Sequence, residues 1–237
     1  LSVSGHYVPV TGDFDGDGCG DVLWYGPGTA PDSIWYGGPT LSSVPVVVDG
    51  EGFHPVVGDL DGDSADDVLW HAPGEALDVI WYGGPRRGQV DSRTVFVRDS
   101  YAPAVGDLDG DGADDIVWYA RGSAPDPLWF GRRGERGVFT TDATSASGAY
   151  LPVAADLDGA AGDEIIWYGP GSAPDVRWDG TPPSHTSSPL QLDGQHLPLV
   201  GDFDGDGADD VAWYGPGGHR DALWWGGADG PTSAPLR

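Results

Sequence analysis

Short apolar runs closed by glycine or proline turns recur along the whole chain. The clearest, Val22-Leu23-Trp24-Tyr25, is apolar at every position. Val22 and Trp24 would face one side of a strand and Leu23 and Tyr25 the other, so such a strand has to be covered on both faces. A turn at Gly26-Pro27-Gly28 separates it from a second strand, Asp32-Ser33-Ile34-Trp35-Tyr36-Gly37. A strand at Tyr7 to Gly12 precedes the pair, and a looser one at Val44 to Asp49 follows, ending in Gly50-Glu51-Gly52. This four-strand unit returns five times, over about residues 6–51, 52–99, 100–148, 149–194 and 195–237, the last together with 1–5. Pro9, Pro55, Pro103, Pro152 and Pro198 hold the same place in the first strand, which fits an amide with no ladder partner there.

Small sheets that need cover on both faces pack radially, each between two neighbours, and five of them predict a five-bladed β-propeller forming one domain over 1–237. Five blades diverge steeply outwards and need bulky filler. Trp24/Trp35, Trp70/Trp81, Trp118/Trp129, Trp167/Trp178 and Trp213/Trp224 supply it, which assigns the tryptophans to the core rather than to a sugar platform. Shifting the chain by 189 residues lays Leu1 to Gly5 over Leu190 to Gly194, and shifting by 46 lays Thr232 to Leu236 over Thr186 to Leu190. In that register the chain starts inside a fourth strand and stops at the beginning of one. The expectation is a ring closed by an N-terminal strand from Leu1 to Ser4 in the fifth blade.

Between the first two strands of each unit lies a nine-residue acidic loop, Asp13-Phe14-Asp15-Gly16-Asp17-Gly18-Cys19-Gly20-Asp21 in the first copy. First-Asp spacings are 46, 48, 49 and 46 residues. Acids fall at loop positions 1, 3, 5 and 9: Asp13, Asp15, Asp17 and Asp21; Asp59, Asp61, Asp63 and Asp67; Asp107, Asp109, Asp111 and Asp115; Asp202, Asp204, Asp206 and Asp210. With the position-7 carbonyls of Cys19, Ala65, Ala113, Gly162 and Ala208, these oxygens suit a hard cation such as calcium, which takes about 6–8 of them. Glycine at position 6, as in Gly18, Gly112 and Gly207, serves the bend. An EF-hand shares the first half of the comb but needs a glutamate at position 12, where every copy here has Trp. The fourth copy keeps Asp156, Asp158 and Glu164 but has Ala160 and Ala161 at positions 5 and 6, which leaves its metal binding open, with Asp163 as a substitute ligand.

Charge agrees with metal chemistry. The formal charge is −27, with 38 acidic and 11 basic residues, and 19 of the acids (four loops of four, one of three) sit at the comb positions. So acidic a chain has no phosphate-binding footprint, and nucleic acid is not an expected partner. No apolar run approaches a membrane span of about 20 residues. The chain has no Met, as a processed or excised piece of a larger secreted protein would, and loops of this kind suit the high calcium outside cells. The single Cys19 makes no internal disulfide, and its carbonyl rather than its thiol is expected at the metal.

Asp-x-Asp-x-Asp-Gly-x-x-Asp followed by an apolar strand resembles the FG-GAP/VCBS repeats, the calcium-loop β-propeller family that builds integrin α-subunit heads and many secreted bacterial proteins. The resemblance covers nearly the whole chain and implies calcium in the loop between strands 1 and 2; five repeats depart from the family's usual seven. Family members serve as adhesion heads, glycan-binding modules and frames for polysaccharide-cleaving enzymes, so fold alone names no activity.

What fold and metal leave unused has to carry function. On the face opposite the loops every unit repeats Gly-x-x-x-Asp, at Asp32, Asp78, Asp126, Asp175 and Asp221. These are turn caps, or else the carboxylates of five shallow pockets beside Tyr25, His71, Tyr119, Tyr168 and Tyr214 that would suit sugar hydroxyls with gain from multivalency. His6, His54, His71, His196, His219 and the pairs Arg86-Arg87 and Arg132-Arg133 break the repeat, but none has triad or metal-ligand spacing. The expectation is a secreted, non-catalytic module binding a glycan or an extracellular protein, with the frame of a polysaccharide lyase or hydrolase as the alternative.

Overall fold

The computed structural model describes residues 3–28, 30–50, 52–72, 74, 76–97, 100–228 and 230–235. The fold is all-β, five four-stranded antiparallel sheets arranged as a β-propeller, with one short 3-10 turn among the described residues, at Pro216–Gly218. Blade 1 comprises β1 (Val8–Gly12), β2 (Asp21–Tyr25), β3 (Asp32–Tyr36) and β4 (Ser42–Val46); blade 2 comprises β5 (His54–Gly58), β6 (Asp67–His71), β7 (Asp78–Tyr82) and β8 (Asp91–Val95). Blade 3 is β9 (Ala102–Gly106), β10 (Asp115–Tyr119), β11 (Asp126–Phe130) and β12 (Thr140–Thr144). Blade 4 is β13 (Leu151–Ala155), β14 (Glu164–Tyr168), β15 (Asp175–Asp179) and β16 (Thr186–Leu190). Blade 5 is β17 (Leu197–Gly201), β18 (Asp210–Tyr214), β19 (Ala222–Trp225) and β20 (Thr232–Pro235). The chain divides into two compact units, Leu1–Ser100 with Gly131–Phe139, and Tyr101–Phe130 with Thr140–Arg237.

In the first unit β1 packs beside β5, and in the second β13 packs beside both β9 and β17, so the first strand is the inner one of each blade. Its proline stands opposite the first Trp of the unit, as Pro9 does Trp24 and Pro152 does Trp167. The apolar second strands are covered on both faces, and β6, β10 and β14 are buried at all five positions. Within each blade the two tryptophans meet edge to face at 4.9–5.4 Å. The tyrosine that follows reaches the next blade's Trp: Tyr25 to Trp70 at 5.1 Å, Tyr119 to Trp167 at 5.2 Å and Tyr168 to Trp213 at 5.0 Å. Each such aromatic pair adds about 1 kcal/mol beyond the area it buries.

Two strand expectations need correction. The outer strand of blade 1 is Ser42–Val46, not Val44 to Asp49. Its side chains are alternately exposed, so hydrophobicity says little about where it begins, and the backbone pairing Tyr36 with Ser42 decides. The same slip misplaced the fourth strand of blade 5. Thr186–Leu190 is the whole of β16, so its repeat equivalent, Thr232 onward, is a complete outer strand, and β20 pairs with β19 from the chain's own C-terminal end. Leu1 to Gly5 corresponds instead to the link after a fourth strand; Val3 and Ser4 form no strand, and Leu1 and Ser2 lie outside the described residues.

Candidate functional site

Each acidic loop is wound by its first aspartate. Asp13 accepts the amides of Asp17 (3.1 Å) and Gly18 (2.7 Å), Asp107 those of Gly110, Asp111 and Gly112, and Asp202 those of Gly205, Asp206 and Gly207. The winding needs two left-handed residues. Position 4 is glycine in all five copies, Gly16, Gly62, Gly110, Gly159 and Gly205, with φ between 65 and 81°. Position 6 is left-handed as well, so Ser64 in the second copy takes φ 74°, whereas the fourth loop moves that conformation to Gly162 at position 7.

The winding brings three carboxylates together in every loop, with one oxygen of each within 4.8 Å of the others. Loops 1 and 5 use positions 1, 3 and 5 (Asp13, Asp15, Asp17; Asp202, Asp204, Asp206). Loops 2, 3 and 4 use positions 1, 3 and 9 (Asp59, Asp61, Asp67; Asp107, Asp109, Asp115; Asp156, Asp158, Glu164). The fourth loop therefore assembles a cluster although it lacks the position-5 acid. Asp15 and Asp61 are 7% and 2% exposed, and the Oδ1 atom of each is buried without a hydrogen-bond partner among the described residues. A buried, unpaired carboxylate oxygen in an all-oxygen donor set fits a hard metal ion, which these clusters could hold. At position 7, Ala65, Ala113 and Ala208 bury their methyl groups. Cys19, partly exposed in the same place, has its thiol raised above the ordinary value by hydrogen bonding to Asp17 and by the neighbouring negative charges.

Position 9 has a second task. Asp21 takes the Phe14 amide on one oxygen (2.9 Å) and the Gly37 amide on the other (2.7 Å), tying the loop to the turn between strands 3 and 4. Asp67 does the same with Leu60 and Gly83, and Asp210 with Phe203 and Gly226. Position 8, unnoticed as a pattern in the sequence, joins blades. Asp66 accepts the Asp13 amide (2.6 Å) and returns its own to the Asp13 carbonyl (2.8 Å). Asp163 and Asp107 repeat this exchange, as do Asp209 and Asp156. Asp163 thus serves the third loop's backbone, which corrects its reading as a substitute ligand of the fourth: its side chain points across the seam.

Crowding and burial raise several of these acids. Burial above all pushes Asp67 up to about 8 and Glu164 up to about 7, and burial followed by the charges of Asp114 and Asp209 lifts Asp163 to about 8. A folded-state pKa above the ordinary carboxylate value means that the metal-free fold favours the protonated acid. Its stability is complete below that ordinary value and is lost as pH rises through 7–8. The melting temperature of metal-free protein is therefore expected to fall steadily from pH 5 to pH 8.5, and a flat or rising thermal-denaturation profile would contradict these assignments.

Two arginines enter the loops from the neighbouring turn. Arg87, between β7 and β8, bonds Asp15 through Nε and Asp17 through Nη2 at 2.9 Å, with Nη1 on Ser42 Oγ at 2.9 Å. Arg136, between β11 and β12, bonds Asp61 through Nε at 2.5 Å and Asp63 through Nη2 at 2.8 Å. The pairs that stand out in the sequence are Arg86-Arg87 and Arg132-Arg133, so only one of the two arginines that reach the loops is among them.

The opposite face differs from a row of open pockets. Asp32, Asp78, Asp126 and Asp175 are buried and each carboxylate spans two backbone amides: Gly26 and Val48, Ala72 and Val97, Ala120 and Ala146, Gly169 and Leu192, at 2.6–3.1 Å. Asp221, half-buried, accepts the Gly215 amide. This is the geometry of a turn cap. Tyr25, Tyr119 and Tyr168 beside them are buried too, Tyr119 donating to the Gly148 carbonyl and Tyr168 to that of Gly194, whereas Tyr214 is exposed. His71 is buried with Nδ1 2.8 Å from Asp78, and His196 is held by Tyr168 and the Arg220 carbonyl.

Residues 100–132 match the FG-GAP repeat, and they form part of one unit in a β-propeller of five four-stranded blades. No curated protein matches the chain in sequence. Among solved structures, one described as the basis of specific recognition of non-reducing terminal N-acetylglucosamine by an Agrocybe aegerita lectin is similar in fold. It has 16% identity and a TM-score of 0.57 over 97% of this chain and 79% of that one. A Photorhabdus luminescens Tc holotoxin pore structure gives 15% identity and a TM-score of 0.49; it covers 98% of this chain, which spans only 12% of that one. Among the described residues no helix is long and apolar enough to cross a membrane.

Proposed function

We propose that the chain is a secreted recognition module that binds calcium in its acidic loops and a glycan on the loop-bearing face. The calcium assignment rests on clustered, oxygen-only donors in five copies of one loop. The glycan assignment is carried by an open cleft of about 630 Å³ at the long turn between β7 and β8, where Arg86, Gln89 and Asp91 present donors and acceptors to solvent above Gly84 and Arg136. That volume suits one or two sugar rings, and mixed donors and acceptors suit hydroxyls. The fold shared with a lectin supports the same reading. Spent carboxylates on the other face favour this location over the Asp32 series.

A glycan array probed with calcium and again with chelator tests the assignment. Binding to a defined glycan that is lost in the Arg86→Ala/Gln89→Ala variant is the expected result. Undiminished binding by that variant would move the ligand elsewhere, and turnover of a polysaccharide would place the protein among enzymes.

A further inference from the structure

Arg87 and Arg136 are two copies of one device. Each guanidinium lies over a buried tyrosine of the preceding blade, Arg87 at 4.9 Å from the Tyr36 ring centre and Arg136 at 5.2 Å from that of Tyr82. The glycine that follows donates its amide to the same tyrosine's hydroxyl, Gly88 to Tyr36 at 2.8 Å and Gly137 to Tyr82 at 2.6 Å. At Gly88, where φ is 75°, a side chain would be strained and its Cβ would come within 2.3 Å of Val44 Cγ1. Both forks then close on the loop acids at positions 3 and 5.

The parts occur together or not at all. Arg-Gly appears in the two long turns between strands 3 and 4, 83–90 and 131–139, whereas 37–41, 180–185 and 226–231 are shorter and lack it. Tyr closes the third strand in blades 1 and 2 only; Phe130, Asp179 and Trp225 stand there in the others. Among the described residues, Asp109, Asp111, Asp204 and Asp206 of loops 3 and 5 have no ion pair.

We propose that Arg87 and Arg136 are resident counter-cations of loops 1 and 2. Each holds its loop wound in the absence of metal and has to leave the carboxylates when a divalent cation takes them, so that the metal sites fall into two affinity classes. A bidentate guanidinium neutralises two acids without filling a coordination sphere. The buried Oδ1 atoms of Asp15 and Asp61 stay unpaired beside it, so the loop keeps an unmet demand for a cation while charging a lower affinity for it. This inference rests on the calcium reading above.

The test is calcium titration by calorimetry, with melting curves of metal-free and calcium-saturated protein, on Arg87→Gln, Arg136→Gln and an Arg121→Gln control that removes the same charge outside the loops. Each of the first two variants is expected to tighten one weak site by about five- to tenfold. Each should melt about 3 °C lower than the parent without metal, and no lower with it. Arg121→Gln should change neither. Weaker or unchanged calcium binding in the arginine variants overturns the proposal, as does an equal loss of stability with and without metal. Should a glutamine variant fail to fold, Arg87→Lys, which keeps the charge and loses the fork, is expected to shift the same site in the same direction by less, and no shift overturns the proposal. A parent that takes up no calcium at all would overturn the calcium reading as well, whereas normal uptake indifferent to both arginines defeats the counter-cation alone.

Discussion

Calcium at a hundredfold excess over its dissociation constants is expected to raise the melting temperature of metal-free protein by roughly 20 °C. Each filled site contributes about 2.7 kcal/mol at that excess, and each kcal/mol moves the melting point of a chain this size by about 2–4 °C. Three well-formed sites suffice for the figure. The origin is electrostatic: three carboxylate oxygens lie within 4.8 Å in every loop, and a pair of charges 4 Å apart repels by about 4 kcal/mol at an effective dielectric of about 20 before relaxation and protonation reduce it. Differential scanning calorimetry with and without chelator measures the shift. Asp109→Ala and Asp204→Ala should each remove one ion from the calorimetric stoichiometry; a shift under a few degrees, or an unchanged stoichiometry, would sink the metal assignment.

The second large effect concerns an acid outside the acidic loops. Asp126→Ala strands two amides, the half-buried one of Ala120 and the buried one of Ala146, both bonded at 2.7 Å. At about 1–3 kcal/mol for each unmet donor, the loss is about 4 kcal/mol, or roughly 10 °C. Asp126→Asn keeps one accepting oxygen and should lose about half as much. Because the role is structural, the loss should be the same in calcium and in chelator, and thermal melts in both conditions check it. A variant that melted normally but bound glycan poorly would instead make this residue a ligand contact.

The blade count and the loops were legible because their signals are local. A comb of acids nine residues long, followed by an apolar strand and repeated five times, needs no tertiary knowledge. Division of labour among the acids was not legible, because an aspartate that binds metal and one that holds an amide look alike in sequence. A clue was present: Asp-x-x-Trp opens the second and the third strand of blade 1 alike, Asp21 with Trp24 and Asp32 with Trp35, which suggests one local job done twice. Seam contacts such as Asp66 with Asp13, and the reach of Arg87 to Asp15 across 72 residues, lie beyond any period that a repeat alignment displays. The outer strand of blade 1 begins two residues before its expected start for the opposite reason, since its side chains are alternately exposed and only partly buried and give the pattern no sharp edge.

Those outer strands have a consequence for how the molecule can change over generations. Every carboxylate staple, tryptophan pair and inter-blade tyrosine belongs to the second and third strands or the loops that flank them. Asp91–Val95 and Thr140–Thr144 are held chiefly through their ladders, with side chains largely in solvent. Mutation there costs little stability, because most surface substitutions stay within about 0.5 kcal/mol. Drift can therefore rewrite the rim of each blade while the acid-stapled interior stays constant, leaving a lineage free to diversify what its blades present without relearning how to fold.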